Sequence, residues 1–154
     1  MPPRSFDELV DKAAFIVDAD VTQVRQVLKS SRPPIQDVVT EVTFRVRSAV
    51  KGALRSGDSA VCVQIAGRLE TDDKVIEVLG EPAITETGRY VLFLNWNPAL
   101  QSYIVVSSEG VYRVTNGLLE PFGRSDVARH QQSRDVAIFL RDVQARAPRG
   151  AAVK

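Results

Sequence analysis

The spacing of apolar residues divides the chain into a helical start, a long middle of period two and a helical end. Phe6, Leu9, Val10 and Ala13 recur at i, i+3, i+4 and i+7, the interval that lines one helix face. Ser5 and Glu8 stand in the S-x-x-E spacing of a capping box, in which each side chain bonds a backbone N–H at the other position. A short amphipathic helix lying across the end of a core is the expectation. From Ala14 the period changes. Phe15, Val17, Ala19 and Val21 face one way, and Ile16, Asp18, Asp20 and Thr22 the other, as in a half-buried strand.

Two prolines in Ser30-Ser31-Arg32-Pro33-Pro34 withhold donors and fix φ, which predicts a loop. A second strand is predicted over residues 37–50, with Val42, Phe44, Val46 and Val50 inward and Glu41, Thr43, Arg45 and Arg47 on the opposite face. Strands of that length in small proteins bend around barrels or sandwiches. After Gly52 and Gly57, further strands are predicted over 59–65 and 74–79. Residues 89–96 form a near-continuous apolar run, the mark of a central strand covered on both faces. Asn95-Trp96-Asn97-Pro98 turns the chain into a strand over 103–107, and Gly110 separates that from 111–115. Asn116-Gly117 is a two-residue hairpin signal that folds 118–122 back.

The helical period returns in Val136, Phe139, Leu140 and Val143, with Ser133 as N-cap or an earlier start at Ser125. Pro148-Arg149-Gly150 ends this helix and leaves residues 148–154 as a flexible tail. Many short strands between two helices predict a mainly β fold. It takes the form of an OB-like antiparallel β-barrel with a short N-terminal helix and a C-terminal amphipathic helix, one domain over residues 1–147.

Composition narrows the chemistry. The 154 residues carry 20 Lys+Arg against 19 Asp+Glu, a net charge of +1, which argues against a general nucleic-acid binder. That neutrality is uneven: residues 121–154 hold seven basic and three acidic side chains, a basic helix face and tail after an acidic-leaning barrel. One cysteine and one histidine allow no internal disulfide and no Cys/His zinc site. Cys62 lies in the apolar stretch Ala60-Val61-Cys62-Val63 and reads as an inert packing thiol; His130 lies among Arg129, Gln131 and Gln132 and reads as solvated. No G-x-S-x-G elbow, phosphate loop, G-x-G-x-x-G or H-E-x-x-H occurs. Asp18/Asp20 and Asp72-Asp73 are carboxylate pairs without a run of further oxygen ligands, and read as surface and turn residues rather than a calcium site. No run of 18 apolar residues exists to form a transmembrane helix.

Tyr90, Phe93, Trp96, Tyr103, Tyr112 and Phe122 cluster in the second half. Tyr90 and Trp96 share an inward parity, yet Trp96 sits in a turn and is the aromatic best placed for exposure. A stacking platform for oligonucleotides or glycans would need Arg45, Arg47, Arg89 or Arg113 on one face with an exposed aromatic.

Several segments together resemble a bacterial domain of the netrin-like class, which shares an OB-type barrel with the tissue inhibitors of metalloproteinases. The likeness spans residues 5–145. It runs through Ser5-Phe6-Asp7-Glu8-Leu9-Val10, Phe15-Ile16-Val17, Glu41-Val42-Thr43-Phe44-Arg45-Val46, Ala49-Val50-Lys51-Gly52 and Ala60-Val61-Cys62-Val63. It is clearest in Gly88-Arg89-Tyr90-Val91-Leu92-Phe93-Leu94, Tyr103-Ile104-Val105-Val106 and Gly110-Val111-Tyr112-Arg113-Val114, and it ends in the helix at 135–145. The resemblance implies a barrel with helices packed on it, in exported proteins, and carries no activity. Protease inhibition in that class uses an N-terminal cysteine and bracing disulfides, whereas this sequence has Met1 and Cys62.

The expectation is a non-enzymatic module that binds a protein partner through barrel-edge loops, with an oligonucleotide- or glycan-binding barrel as the alternative. The loops at 30–35, 67–74 and 95–101 are its natural contact points. The candidate partner-binding residues are Trp96, Asn97, Tyr103, Arg45, Arg47 and Arg113. No catalytic residue, metal ligand or cofactor is expected. The location is periplasmic or extracellular if a signal peptide has been removed, and cytoplasmic if Met1 is the native start.

Overall fold

A computed structural model describes residues 4–32, 35–64, 67–70, 75–78 and 82–147. The elements in chain order are α1 (Phe6–Lys12), β1 (Phe15–Arg32), β2 (Ile35–Lys51), β3 (Ser59–Gln64), β4 (Gly67–Glu70), β5 (Val75–Val78), β6 (Gly88–Asn97), β7 (Ser102–Val105), β8 (Val111–Thr115), β9 (Leu118–Pro121), α2 (Asp126–Arg129) and α3 (Val136–Arg146). Strands β1-β2-β3-β7-β6 pair in that order, and β6 pairs back onto β1, closing a five-stranded barrel. Four of these pairings are antiparallel; β3–β7, with Cys62 opposite Tyr103, is parallel. The barrel with its N-terminal and C-terminal helices is the architecture the alternation predicts.

Strand β6 organises the molecule. One edge pairs with β1 from Val21↔Gly88 to Phe15↔Leu94. The other edge is divided, its first half holding β8 (Arg89↔Val114 to Leu92↔Val111) and its second half β7 (Leu94↔Val105 to Asn97↔Ser102). The β8–β9 hairpin therefore splays off the barrel wall. Its turn residues Asn116 and Gly117 have φ of 53° and 78°, the left-handed geometry that a two-residue hairpin demands and that Asn-Gly tolerates best.

The residues of β6 alternate between two cores. Tyr90, Leu92 and Leu94 fill the barrel with Val17, Val42 and Phe44. Val91 and Phe93 face outward and are covered by α1 and α3 through Leu9, Val10, Phe139 and Val143. Phe6, Phe93, Tyr112 and Phe139 form a closed ring of tilted and edge-to-face contacts, with centroids 5.1–6.4 Å apart. Helix α1 is fixed at both ends. Ser5 accepts a hydrogen bond from the Glu8 N–H at 3.1 Å, as a cap should, while the Glu8 carboxylate reaches the N–H of Arg4 rather than that of Ser5. At the other end the buried Lys51 ammonium donates to the Val10 and Asp11 carbonyls at 2.8 and 3.4 Å, satisfying helix-end acceptors.

Four boundaries differ from the pattern-based expectation, the first being that Asn95, Trp96 and Asn97, expected in a turn, extend strand β6 through their ladder pairs with β7. Strand β1 continues through Thr22 to Arg32, so most of the loop expected at 30–35 is strand. A register shift between Val21 and Gln23 inverts the inward phase, and the alternation seems to stop where it has only slipped. Beyond the slip, Val24↔Val42 and Arg25↔Glu41 continue the ladder, the latter reinforced by an ion pair at 2.7 Å. The loop expected at 67–74 contains β4, which pairs with β5. Ser133 does not cap the last helix. It lies at φ 62° in a segment that pairs with β9, and Asp135 is the N-cap, accepting from Ile138 N at 3.1 Å. Ser125 caps the separate short helix α2. Pro33 and Pro34, residues 71–74 and the expected tail at 148–154 lie outside the described residues.

Gly110 sits where the chain passes from β7 to β8 directly over β6. A Cβ there would lie 2.8 Å from the Phe93 Cβ, which is fully buried. Gly110→Ala is expected to lower stability by about 1–3 kcal/mol through overpacking, read as a lower urea midpoint with unchanged m-value.

Candidate functional site

The structure brings the six sequence-derived candidates into three places. The first is the end of the barrel where β6 turns into β7. The inward parity of β6 runs past Leu94 to Trp96, beyond the filled interior, and Trp96 emerges 48% exposed. Its indole rests edge-on against Tyr103, directly opposite in the ladder, at 5.1 Å between centroids, and Tyr103 packs in turn on Phe15 at 5.0 Å. The backbone beneath this column is held by side-chain amides. Asn95 accepts from Ala14 N at 2.7 Å and donates to the Lys12 carbonyl at 3.0 Å, tying β6 to the end of α1. Asn97 accepts from Leu100 N at 3.1 Å and closes the turn. Asn97 thus shapes the turn that follows Trp96 through its side-chain oxygen, while Asn95 is engaged through both its oxygen and its nitrogen.

The second place is the outward face of β2 with its neighbours. Arg47 approaches Asp20 at 3.3 Å and Asp18 at 3.8 Å. Asp18 is not the surface carboxylate its spacing suggests: it is 3% exposed and holds Arg89 through two bonds of 2.9 and 2.8 Å. The fork geometry and partial burial make this the strongest ion pair described, and the Asp18 carboxylate holds the Arg89 guanidinium above its already high range. The Arg45 side chain, across the ladder from Asp20, makes no hydrogen bond or ion pair among the described residues. Arg113 occupies the third place, on β8, held by Glu86 at 2.6 Å. Arginines stack on Phe6 and Phe139, but these are Arg146 and Arg134; among the described residues none of Arg45, Arg47, Arg89 or Arg113 lies over an aromatic ring.

The residues with reactive side chains are distributed differently. Cys62 is fully buried inside the barrel, where desolvation pushes its thiol up to about 12. His130 is exposed at the end of α2. Tyr112 is buried in the outer core, where burial and, secondarily, the charge of Glu109 push its phenol well above the ordinary range. Its hydroxyl and Glu109 Oε2 are buried without a hydrogen-bond partner among the described residues. No group of three or more His, Cys, Asp or Glu among the described residues is placed to hold a metal ion. No described helix is long and apolar enough to cross a membrane.

The chain matches no known family model and no curated protein. Its geometry therefore carries the functional reading. Trp96 is exposed as its neighbourhood predicts, but it is a residue of strand β6 and not of the turn, which occupies 98–101. Pattern analysis missed the Asp18–Arg89 pair and the buried Lys51, because both depend on strand register. A faint signal was present: an arginine opens the most apolar strand and an aspartate interrupts an otherwise apolar one.

Asp18→Ala is expected to destabilise the protein by about 2–3 kcal/mol, less than the loss for a wholly buried pair because Arg89 keeps 28% of its side chain in solvent. Chemical denaturation of that variant, and of the double variant Asp18→Val/Arg89→Leu, checks it; the double variant should recover part of the loss. A second expectation concerns alkaline pH. Cys62, Tyr112 and Tyr90 are all raised by burial, so each contributes stability that is complete below its unfolded pKa and is lost as pH rises; Lys51, lowered by burial, opposes them. The urea midpoint should therefore fall above about pH 9, where an unfolded thiol begins to ionise. Cys62→Ala should fall less steeply, and native Cys62 should resist a thiol reagent that labels it at once in urea.

Proposed function

We propose that this chain is a non-enzymatic interaction module of OB type that binds a protein partner through the Trp96 end of its barrel. The observation that carries this reading is Trp96 itself, a large indole half in solvent, seated on Tyr103 and Phe15 above an amide-braced turn. Exposed aromatics on rigid supports make the hot spots of protein interfaces, since they bury large area with little loss of side-chain freedom. The strand order, with the first barrel strand pairing the fourth and the third parallel to the fifth, supports the OB assignment. OB-type barrels bind through the loops after their first and fourth strands and the sheet face between. In this chain the β6–β7 turn at 98–101 follows the fourth barrel strand, and Trp96 and Asn97 lead into it. The netrin-like likeness belongs to the same proposal, as does a location outside the cytoplasm.

The non-enzymatic part is supported by the chemistry of the candidates. A nucleophile needs a base within hydrogen-bond reach, while Cys62 is sealed in the barrel and His130 stands in solvent. A stacking platform with arginine gains no support at this end, where no described arginine stacks on the indole.

A photo-crosslinking residue at position 96 in the full chain, expressed in its native cells, should capture one discrete protein that the same residue at Ile138 on α3 does not. Trp96→Ala should weaken that partner's binding at least tenfold, about 1.4 kcal/mol, with Arg113→Ala close to wild type. Equal binding by the Trp96→Ala variant, or no crosslinked protein at all, overturns the assignment.

A further inference from the structure

We propose that the outward face of β2 holds a second recognition site, a carboxylate pocket centred on Arg45 that takes an aspartate or glutamate side chain of an acidic segment on a binding partner. The inference stands apart from the aromatic end and does not depend on it. A depression of about 330 Å³ opens on this face, lined by Asp20, Arg45, Val46, Arg47, Ser56 and Gly57. Its far wall is the β2–β3 turn, hooked rigidly onto the strand. Gly57 donates to the Val46 carbonyl, and Val46 donates to the Asp58 carbonyl, each at 2.8 Å. The Asp58 carboxylate accepts from Arg55 N at 2.8 Å and holds the turn closed. Space above Gly57 is open, with no atom within 4 Å of where a Cβ would stand.

The charges on this face do not cancel. On the strand face three guanidiniums (Arg45, Arg47 and Arg89) meet two carboxylates, Asp18 and Asp20, and the turn adds one of each sign, Arg55 and Asp58. Asp18 is buried and taken up by the Arg89 fork. Asp20 stands across the ladder from Arg45 yet turns to Arg47. The surplus positive charge therefore falls on Arg45, whose planar set of donors is unengaged among the described residues and borders the depression. Arg45 and Arg47 share a strand face about 7 Å apart, the two-residue repeat. An entering carboxylate meets the fork of Arg45, with Arg47 adding charge from its tethered position.

Asp20 lines the depression and offsets part of its positive charge, while the fork of Arg45 offers a side-chain carboxylate two parallel hydrogen bonds. The local surplus of one charge balances a single carboxylate. The depression is open to solvent and larger than one carboxylate head, so it admits a side chain projecting from a larger partner.

Titration of the ¹⁵N-labelled full chain with acetyl-tetraglutamate amide tests this at low salt. Saturable shifts should be confined to the amides of residues 45–47 and 56–58. Arg45→Ala should weaken them at least tenfold, Arg45→Lys should do so partially, and Asp20→Asn should strengthen them. Inorganic phosphate should bind at least tenfold more weakly than the peptide, acetyl-tetralysine amide should have no effect, and Trp96→Ala should titrate as wild type. Arg45 is exposed, so dispersed spectra of its variants will verify their folding. Absence of a saturable shift, shifts centred elsewhere, an unaltered response in Arg45→Ala, or phosphate binding as tightly as the peptide each overturns the proposal.

Discussion

Over residues 90–94, β6 presents no face to water, and the remainder of the fold answers that constraint. Its inward residues demand a filled barrel, and its outward residues demand a cover that no strand can supply. The cover comes from both ends of the chain. Helix α1 brings Phe6 and α3 brings Phe139, and the two rings meet at 5.5 Å over Phe93 and Tyr112. Arg146 of α3 strengthens the junction by lying over the Phe6 ring at 5.3 Å while pairing with Asp7. Each large side chain kept from water contributes about 1.5–3 kcal/mol. Loss of either helix would re-expose several of them, so barrel and helices stand as one cooperative unit.

The limit of that cover fixes where charge appears. Along the outward face of β1, Ile16 lies under the helices, and Asp18 and Asp20 follow it. Along the antiparallel β6, Phe93 and Val91 lie under the helices, and Arg89 follows them. The change from apolar to charged residues thus occurs at neighbouring points on two paired strands. The Asp18–Arg89 pair sits at this boundary, close enough to the covered core for Asp18 to be buried and near enough to solvent for Arg89 to remain partly hydrated. Its value is orientational as well as energetic, since a bidentate fork constrains both side chains. With Asp18 committed to Arg89, the charge balance further along the face rests on Asp20, Arg47 and Arg45.

Much of this fold was legible in the amino-acid order. The buried run in β6, the Asn116-Gly117 hairpin, the cap at Ser5 and the stripe from Val136 to Val143 are local signals, each complete within about ten residues. What stayed hidden depends on register between distant segments. The slip at Val21 conceals ten further residues of β1, because a one-residue shift exchanges the two faces. Asp18 and Asp20 look alike in sequence. They differ in the structure because Asp18 lies opposite Val91, beside the helix-covered core, and Asp20 opposite Arg89, one step beyond it. Lys51 has no local mark of burial at all; its position is set by the end of α1, some 40 residues earlier. At the candidate site, the exposure of Trp96 was visible through the break that follows at Pro98, while its place in β6 opposite Tyr103 depends on register. The contrast between Arg45 and Arg47, identical by pattern, arises from which aspartate each can reach.

The two exposed regions suit different tasks for a physical reason. At the barrel end, a partner would gain by removing an indole from water, an interaction little affected by salt and tolerant of what covers it. On the β2 face the interaction is between charges in partial contact with solvent, which is screened by salt and modest in strength, but sensitive to the sign and placement of the partner's groups. An apolar contact alone would hold many proteins weakly, and a charge contact alone would hold few firmly. Asp20 sharpens the second case. By keeping Arg47 tethered it would lower the attraction for anions in general, so that a partner's carboxylate is held only where its placement matches the fork of Arg45.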